Sequence, residues 1–267
     1  MRGGVMMDLR RTKACIARVG GTNCDLEMKV ALEHLGLKSE ILHMKQILKR
    51  GLYEYQLFVF PGGFSYGDYV RAGAIWGKEV HSKIKSELEA FIEEEKLVMG
   101  VCNGFQVMIE AGILPNDELV EVPKAALANN ASAKYECRWV YLRVERGETP
   151  FTGDLETGEL LKIPVGHGEG RFIPASEDSL KELVDNGCVL FRYAMPSGEA
   201  ADGRYPYNPN GSVYDIAGIC NRKGNVMGMM PHPERAFFGW QLPEGRNAPY
   251  GDGKRILQGI IKYLQKY

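Results

Sequence analysis

Short apolar runs alternate with amphipathic stretches over the first part of the chain, up to Pro115. The apolar runs, which predict strands, lie at residues 14–19, 39–44, 57–60 and 97–101. Residues 26–36, 80–95 and 103–112 carry apolar residues at helical spacing and predict helices. Strands that alternate with helices predict a parallel sheet with right-handed crossover connections.

The pattern changes after Pro115. Strands are predicted at residues 136–144 and 189–194, and two further apolar runs, 213–220 and 226–230, flank a short loop and predict a hairpin. A final helix is predicted over residues 251–267. We therefore expect an α/β fold in one domain, residues 1–267: an open, mostly parallel, flavodoxin-like sheet with helices on both faces and an antiparallel extension.

Composition narrows the possible functions. The 267 residues are 45% hydrophobic and 25% charged, which is typical of a globular protein, and the formal net charge is −1. A nucleic-acid partner is not expected, because no dense cluster of Lys and Arg is present. No secretory signal or membrane span is predicted. The six cysteines form no C-x-x-C pair, so we expect neither a metal site nor a disulfide framework, and a cytoplasmic location.

Candidate chemistry begins at Cys102, which lies between a predicted strand and a predicted helix. Gly100 and Gly104 flank it, the cysteine form of the strand-turn-helix elbow that exposes a nucleophile at the end of a sheet. Residues without Cβ are needed there because strand and helix approach closely, and the helix N-terminus stabilises a thiolate. The alternative is a buried structural cysteine. Cys24 also precedes a predicted helix, but it lacks the flanking glycines and is the weaker candidate.

Two other segments complete a possible active site. Pro61-Gly62-Gly63 ends a predicted buried strand, where it forms either a plain turn or half of an oxyanion hole with a bare backbone amide. In Met230-Pro-His-Pro-Glu-Arg235, the prolines are expected to keep the chain extended, so that His232 and Glu234 point to the same side. With Cys102 upstream, they predict a Cys-His-Glu triad.

A third glycine-rich segment runs from Gly166 to Gly170 and contains His167. A histidine in such a loop is more often structural than catalytic. The surrounding glycines favour a backbone shaped around something small.

These motifs resemble the class I (triad-type) glutamine amidotransferases over roughly residues 13 to 235. The elbow alone indicates the class. Other runs are closest to the glutaminase subunits of phosphoribosylformylglycinamidine synthase, a ligase of purine biosynthesis. Those runs are Gly21-Thr-Asn-Cys-Asp25, Pro61-Gly-Gly-Phe-Ser-Tyr-Gly-Asp68, Arg71-Ala-Gly-Ala74, His167-Gly-Glu-Gly-Arg171 and Ile216-Ala-Gly-Ile-Cys-Asn221.

The resemblance implies that Cys102 attacks the side-chain amide of glutamine. It places the oxyanion on the backbone amides of Gly63 and Asn103, and it makes His232 the proton carrier that Glu234 orients. Three further residues are implied at the glutamine pocket: Gln106, His167 and Gly168.

The same resemblance implies no cofactor in this chain. ATP and Mg would be used by a large synthetase subunit, in a complex that also holds a small accessory subunit. Two rival functions remain open from the sequence: a free-standing γ-glutamyl hydrolase or elbow-type cysteine peptidase, and a catalytically silent binding subunit.

Overall fold

The computed structural model describes residues 12–116, 118–245 and 248–266. In chain order, the first half of the fold consists of β1 (Lys13–Arg18), α1 (Asp25–His34), β2 (Lys38–His43), α2 (Met44–Arg50), β3 (Leu57–Phe60), α3 (Ala74–Glu93), β4 (Leu97–Val101) and α4 (Asn103–Glu110). The second half consists of β5 (Ala125–Asn129), β6 (Glu136–Val144), β7 (Leu160–His167), β8 (Glu169–Pro174), α5 (Glu177–Asp185), β9 (Val189–Ala194), β10 (Ile216–Cys220), β11 (Val226–Met229) and α6 (Gly253–Leu264).

Nine strands of the described residues form the main sheet, in the order β2-β1-β3-β4-β11-β10-β9-β6-β7. The pairs from β2 through β11 are parallel, and the pairs from β11 through β7 are antiparallel. Strands β5 and β8 form a separate antiparallel pair. This arrangement confirms the predicted parallel sheet with an antiparallel extension.

The burial of the strands explains their sequences. Every residue of β3 and β4 is buried, because helices cover both faces at the centre of a parallel sheet, and both strands are continuous apolar runs. β6 instead tends to alternate buried and partly exposed positions, as an antiparallel strand with one wetter face does. The sheet therefore places the ends of β3 and β4 side by side, and Gly63 and Cys102 follow them.

Several predicted elements differ from the structure. Helix α3 begins at Ala74, six residues before the predicted start, and α2, β5, β7, β8 and α5 were not predicted. Residues 164–171, which were expected to form a loop, are the end of β7 and the start of β8. Leu26 and Val30 are exposed on α1, so the buried face of that helix is formed by Met28, Ala31 and Leu32.

The segment after His232 is also not extended. Pro233–Ala236 forms a turn of 3₁₀ helix, because proline at the first helical position has the φ that the helix requires. The predicted reason for the closeness of His232 and Glu234 is therefore wrong, although the two side chains do meet. Within the described ranges, no helix combines the length and the apolar character that crossing a membrane requires.

Candidate active site

The elbow at Cys102 has the strained backbone that its flanking glycines imply. Cys102 has φ 51° and ψ −110°, which a residue with a Cβ rarely adopts. A Cβ on Gly104 would overlap the carbonyl oxygen of Phe60, and one on Gly100 would lie 2.8 Å from the carbonyl oxygen of Gly104. Close packing of α4 on β3 and β4 therefore requires both glycines and fixes Cys102 at the helix N-terminus.

The thiol of Cys102 is buried and lies between two partners. Its Sγ atom donates to the carbonyl oxygen of Gly166 at 3.5 Å. It also interacts with His232, whose buried Nε2 atom makes no hydrogen bond with the described residues. Catalytic contacts often tighten only when substrate binds, so this geometry fits a resting nucleophile.

His232 is held against Glu234 inside the protein. Its Nδ1 atom lies 2.6 Å from Oε1 of Glu234, and both side chains are almost fully buried. The backbone amide of His232 donates to the carbonyl oxygen of Pro164 at 2.9 Å, which ties this segment to β7. Burial opposes a charged imidazole, but Glu234 and Cys102 together outweigh it and raise the pKa of His232 well above its ordinary value. The arrangement stabilises the imidazolium that forms when His232 takes a proton.

Gly63 lies on the other side of the elbow with a backbone amide that donates no hydrogen bond within the described residues. The carbonyl oxygen of Gly62, in the same peptide unit, accepts from the amides of Asn23 and Cys24. In a trans peptide the N–H points opposite to the C=O, so the Gly63 amide points away from that turn. In the sheet, β3 lies between β1, which precedes the turn, and β4, which precedes Cys102. An amide that points away from the turn therefore points towards Cys102.

Asn103 supplies a second free amide at the start of α4. Its backbone N–H likewise has no acceptor among the described residues, as expected at a helix N-terminus. Its side chain holds the site together, because Oδ1 accepts from the amide of Ser65 at 3.1 Å and Nδ2 donates to Oε1 of Gln106 at 2.9 Å. Both amides that were predicted to hold an oxyanion are thus free of internal acceptors among the described residues.

Gln106, His167 and Gly168 line the same region but bind protein groups. Gln106 donates to the carbonyl oxygen of Glu169, which anchors the turn between β7 and β8 on α4. His167 is bonded through Nδ1 to Oδ1 of Asn130, and burial, assisted by His232, lowers its pKa to about 3, so the ring is neutral. The carbonyl oxygen of Gly168 accepts from the backbone amide of Asn130. Their role at a glutamine pocket stays a prediction.

Two aromatic residues lie near the elbow, and no sequence motif assigned a role to either. The rings of Phe64 and Tyr135 stack with centroids 6.4 Å apart, and about half of each side chain is exposed. The Tyr135 hydroxyl lies 3.1 Å from where a Cβ on Gly166 would be, and burial followed by proximity to Cys102 raises the pKa of Tyr135. No local motif marks Tyr135, because only the folded chain brings it to Gly166.

The structure also moves Cys24 into the site. Its Sγ atom, a ring nitrogen of His232 and a carboxylate oxygen of Glu234 lie within 4.8 Å of one another, a spacing that could suggest a metal site. Arg235 donates to this sulphur at 3.1 Å, and a guanidinium so close opposes a divalent cation. From the sequence, Cys24 was expected only as a rival nucleophile. Arg235 directly follows the predicted triad.

The elbow, the His–Glu pair and the mostly parallel sheet define a class I glutamine amidotransferase. In agreement, residues 11–264 match the model of the CobB/CobQ-like glutamine amidotransferase domain. The structure is also similar to the structure of PurLQS from Thermotoga maritima, with a TM-score of 0.74, 38% sequence identity, and 95% of this chain and 99% of that chain covered.

Two curated relatives narrow the class. The chain is 43% identical to the phosphoribosylformylglycinamidine synthase subunit PurQ of Archaeoglobus fulgidus, over 97% of this chain and 100% of that protein. It is 45% identical to the protein of the same name from Thermus thermophilus, over 83% of this chain and 88% of that protein. The chain belongs to this PurQ family of glutamine amidotransferases.

Proposed function

We propose that this chain is the glutaminase subunit of phosphoribosylformylglycinamidine synthase, with Cys102, His232 and Glu234 as its catalytic residues. The observation that carries the proposal is the convergence at one sheet end of a strained elbow cysteine, a buried His–Glu pair and two free backbone amides. These are the groups that acyl transfer from an amide requires.

The first half-reaction forms a thioester. Sγ of Cys102 attacks the side-chain carbonyl carbon of glutamine after Nε2 of His232 has taken the thiol proton. The negative oxygen that develops is accepted by the amides of Gly63 and Asn103. The C–N bond then breaks, and His232 gives its proton to the leaving nitrogen, which departs as ammonia. Glu234 stabilises the imidazolium throughout this step.

The second half-reaction releases glutamate. A water molecule attacks the thioester carbon, His232 takes a proton from it, and the same two amides hold the new oxyanion. The C–S bond breaks, and the proton returns to the sulphur of Cys102. In this scheme, the pocket that holds the glutamine side chain is lined by Gln106, His167 and Gly168.

The ammonia is used elsewhere in the complex. The structural neighbour from Thermotoga maritima is a PurLQS structure, and the relatives are subunits of the synthase by name. We place this chain, as a single glutaminase domain, beside a large synthetase subunit and a small accessory subunit in the cytoplasm. This chain would carry no cofactor or metal, and ATP and Mg would act in the large subunit on formylglycinamide ribonucleotide.

The test is glutamine hydrolysis by the purified chain, alone and then mixed with the synthetase subunits. We expect weak glutamate release alone and a strong increase in the complex, together with conversion of formylglycinamide ribonucleotide to its amidine. Equal glutaminase activity with and without those subunits would instead identify a free-standing γ-glutamyl hydrolase or related enzyme. No hydrolysis in either case would identify a catalytically silent subunit.

A further inference from the structure

Cys24 contacts the catalytic machinery although the proposed chemistry does not use its thiol. Its side chain is buried and meets His232 where Gly62 also approaches the ring. A Cβ on Gly62 would lie 2.7 Å from Cε1 of His232 and 3.1 Å from Sγ of Cys24. The sulphur, the Gly62 backbone and one edge of the imidazole therefore share one small space.

The backbone of Cys24 holds the peptide unit that carries the Gly63 amide. Its N–H donates to the carbonyl oxygen of Gly62 at 3.1 Å, beside the bond from Asn23 at 3.2 Å. The amide of Phe64 donates back to the carbonyl oxygen of Gly21 at 2.8 Å. The turn at residues 21–24 thus holds the neighbours of Gly63 on both sides, Gly62 and Phe64, by backbone hydrogen bonds.

Arg235 fixes the position of the Cys24 sulphur. Its Nη2 atom donates to Sγ at 3.1 Å, while its Nε atom donates to Oε2 of Glu27 on α1 at 2.9 Å. Because Arg235 directly follows Glu234, this guanidinium joins the His–Glu segment to α1 through Cys24. The arrangement links both halves of the site, the proton carrier and the oxyanion amide.

Cys24 has neither the backbone nor the thiol of a nucleophile. It lacks the positive φ of an elbow, with φ −100° and ψ 14°. Burial raises the pKa of Cys24 above its ordinary value, although His232 and Arg235 act in the opposite direction. A buried neutral thiol is chemically inert but fills space and accepts hydrogen bonds.

We propose that Cys24 is a positioning residue for glutamine hydrolysis, with its sulphur holding the edge of His232 and its backbone holding the Gly63 amide. Arg235 is the residue that keeps this sulphur in place. The inference rests on the glutaminase function proposed above. The physical reason for this role is that Glu234 by itself fixes only one nitrogen of the His232 ring. Proton transfer needs the whole imidazole fixed to within a fraction of an ångström.

The test compares Cys24→Ala with Cys15→Ala in the complete complex. Cys15 is an equally buried thiol on β1, so its variant loses the same atom at a distance from His232. We expect Cys24→Ala to lower kcat by about 10- to 100-fold with KM for glutamine nearly unchanged, because a displaced general base affects the transition state more than binding. Cys15→Ala should leave kcat unchanged, and Cys24→Ser should restore part of it, since a hydroxyl still accepts from Arg235.

A second readout separates positioning from general destabilisation. The rate at which iodoacetamide alkylates Cys102, followed by peptide mass spectrometry across pH, reports how well His232 stabilises the thiolate. We expect slower alkylation near pH 7 in Cys24→Ala but not in Cys15→Ala. If Cys24→Ala does not fold, Arg235→Lys provides the same comparison, because lysine cannot bond Cys24 and Glu27 with one planar group.

The two proposals fail differently. Glutamine hydrolysis by the wild-type complex that disappears in Cys102→Ala supports the glutaminase function whatever Cys24 does. If that holds and both Cys24→Ala and Arg235→Lys match Cys15→Ala in kcat and in the alkylation profile, the positioning role is wrong. If Cys102→Ala keeps its activity, the glutaminase site itself is wrong.

Discussion

Nδ1 of His232 lies 2.6 Å from Oε1 of Glu234, although the two residues are separated only by the proline that begins a 3₁₀ turn. The turn brings the carboxylate of Glu234 to the Nδ1 edge of the imidazole, and the side chain of Gln241 donates to the backbone carbonyl oxygen of Glu234 at 3.0 Å. Neither side chain reaches solvent. A carboxylate in this place orients the ring and favours its charged form, so the two residues have unequal roles.

The unequal roles of His232 and Glu234 predict that substitutions at the two residues lower glutaminase activity to different extents. His232→Asn removes the proton carrier and should lower kcat by about 10⁴-fold or more. Glu234→Gln keeps the carrier but weakens its orientation and charge, so its loss should be about 10- to 100-fold smaller. Steady-state glutaminase assays of the two complexes check this order. Small and equal losses would mean that the segment from Pro231 to Arg235 is only a structural corner.

Cys102→Ala tests the nucleophile. We expect glutaminase activity to fall by about 10⁴-fold or more with the fold intact, because the change removes one buried sulphur atom and leaves the elbow glycines in place. The complex should still make product when ammonium chloride replaces glutamine. An electrophilic glutamine analogue should label Cys102 and leave Cys24 unlabelled, and the opposite labelling would contradict the assignment.

The lowered pKa of the buried His167 predicts that the stability of the fold depends on pH. Its pKa is about 3 in the folded chain, against about 6.5 for an ordinary histidine, so between these values the unfolded chain binds the extra proton. The free energy of unfolding should therefore fall as pH falls through this window, by up to about 1.4 kcal/mol per pH unit from this residue. His232, whose folded pKa is raised, is protonated in both states well below pH 6.5 and adds little slope there.

His167→Asn should remove this dependence while keeping a donor for Asn130. Urea unfolding at pH 7 and at pH 4.5 measures it. The variant should be less stable than the wild type at pH 7, but the difference should shrink at pH 4.5. Carboxyl groups such as Asp68 also titrate in this range. They are common to both proteins, so their contributions to the free energy of unfolding cancel in the comparison. A difference that stays constant between the two pH values would rule out titration of His167.

Local sequence identifies much of this fold because its central strands are short and strongly patterned. β3, β4, β6 and β9 have the predicted bounds. β7 and β8 were missed because Pro164, Gly166 and Gly170 give them the composition of a loop. Their stability comes from pairing with distant strands, such as Leu127 of β5 opposite Phe172. Helix α2 is only seven residues long, too short for periodicity to detect.

The candidate site likewise contains residues that local sequence identifies and residues that only the fold brings together. The Cys102 elbow and the His232 and Glu234 pair are carried by contiguous motifs, so the sequence names them. Tyr135 and the contacts of Cys24 depend on residues brought together from distant parts of the chain. Nothing next to Tyr135 in the sequence indicates that its hydroxyl group lies beside Gly166. Such contacts follow from the tertiary fold alone.

Gly104 provides a stability test of the elbow. A Cβ there would overlap the carbonyl oxygen of Phe60, a backbone atom that cannot move without displacing β3. Gly104→Ala should therefore lower the free energy of unfolding by about 3 kcal/mol, as overpacking does. Gly20→Ala is the matched control, since nothing lies within 4 Å of a Cβ at Gly20, and it should change stability by less than about 0.5 kcal/mol. Denaturant titration of both variants decides whether the close approach exists.

Coupling between this chain and the proposed synthetase subunit can be tested at Gly63. Ammonia released without an acceptor wastes glutamine, so we expect the isolated chain to be a poor glutaminase that the complex activates. Gly63 is the position at which activation and assembly can be separated. Its φ of 147° and the 2.6 Å that would separate a Cβ from both the Asn23 amide and the Gly21 carbonyl oxygen mean that any side chain displaces this peptide.

Gly63→Ala should therefore move the oxyanion donor without removing a surface that the partner binds. We expect partner-stimulated glutaminase activity to fall by about 10²- to 10³-fold, the usual cost of losing one oxyanion donor. Binding of the synthetase subunits, measured by calorimetry, should change much less, and Gly20→Ala should behave like the wild type in both assays. Gly20 and Gly63 follow the neighbouring parallel strands β1 and β3, so a general disturbance of this end of the sheet would affect both variants. Equal losses of binding and activity in Gly63→Ala would show that Gly63 serves assembly, and an unchanged activity would move the oxyanion away from this amide.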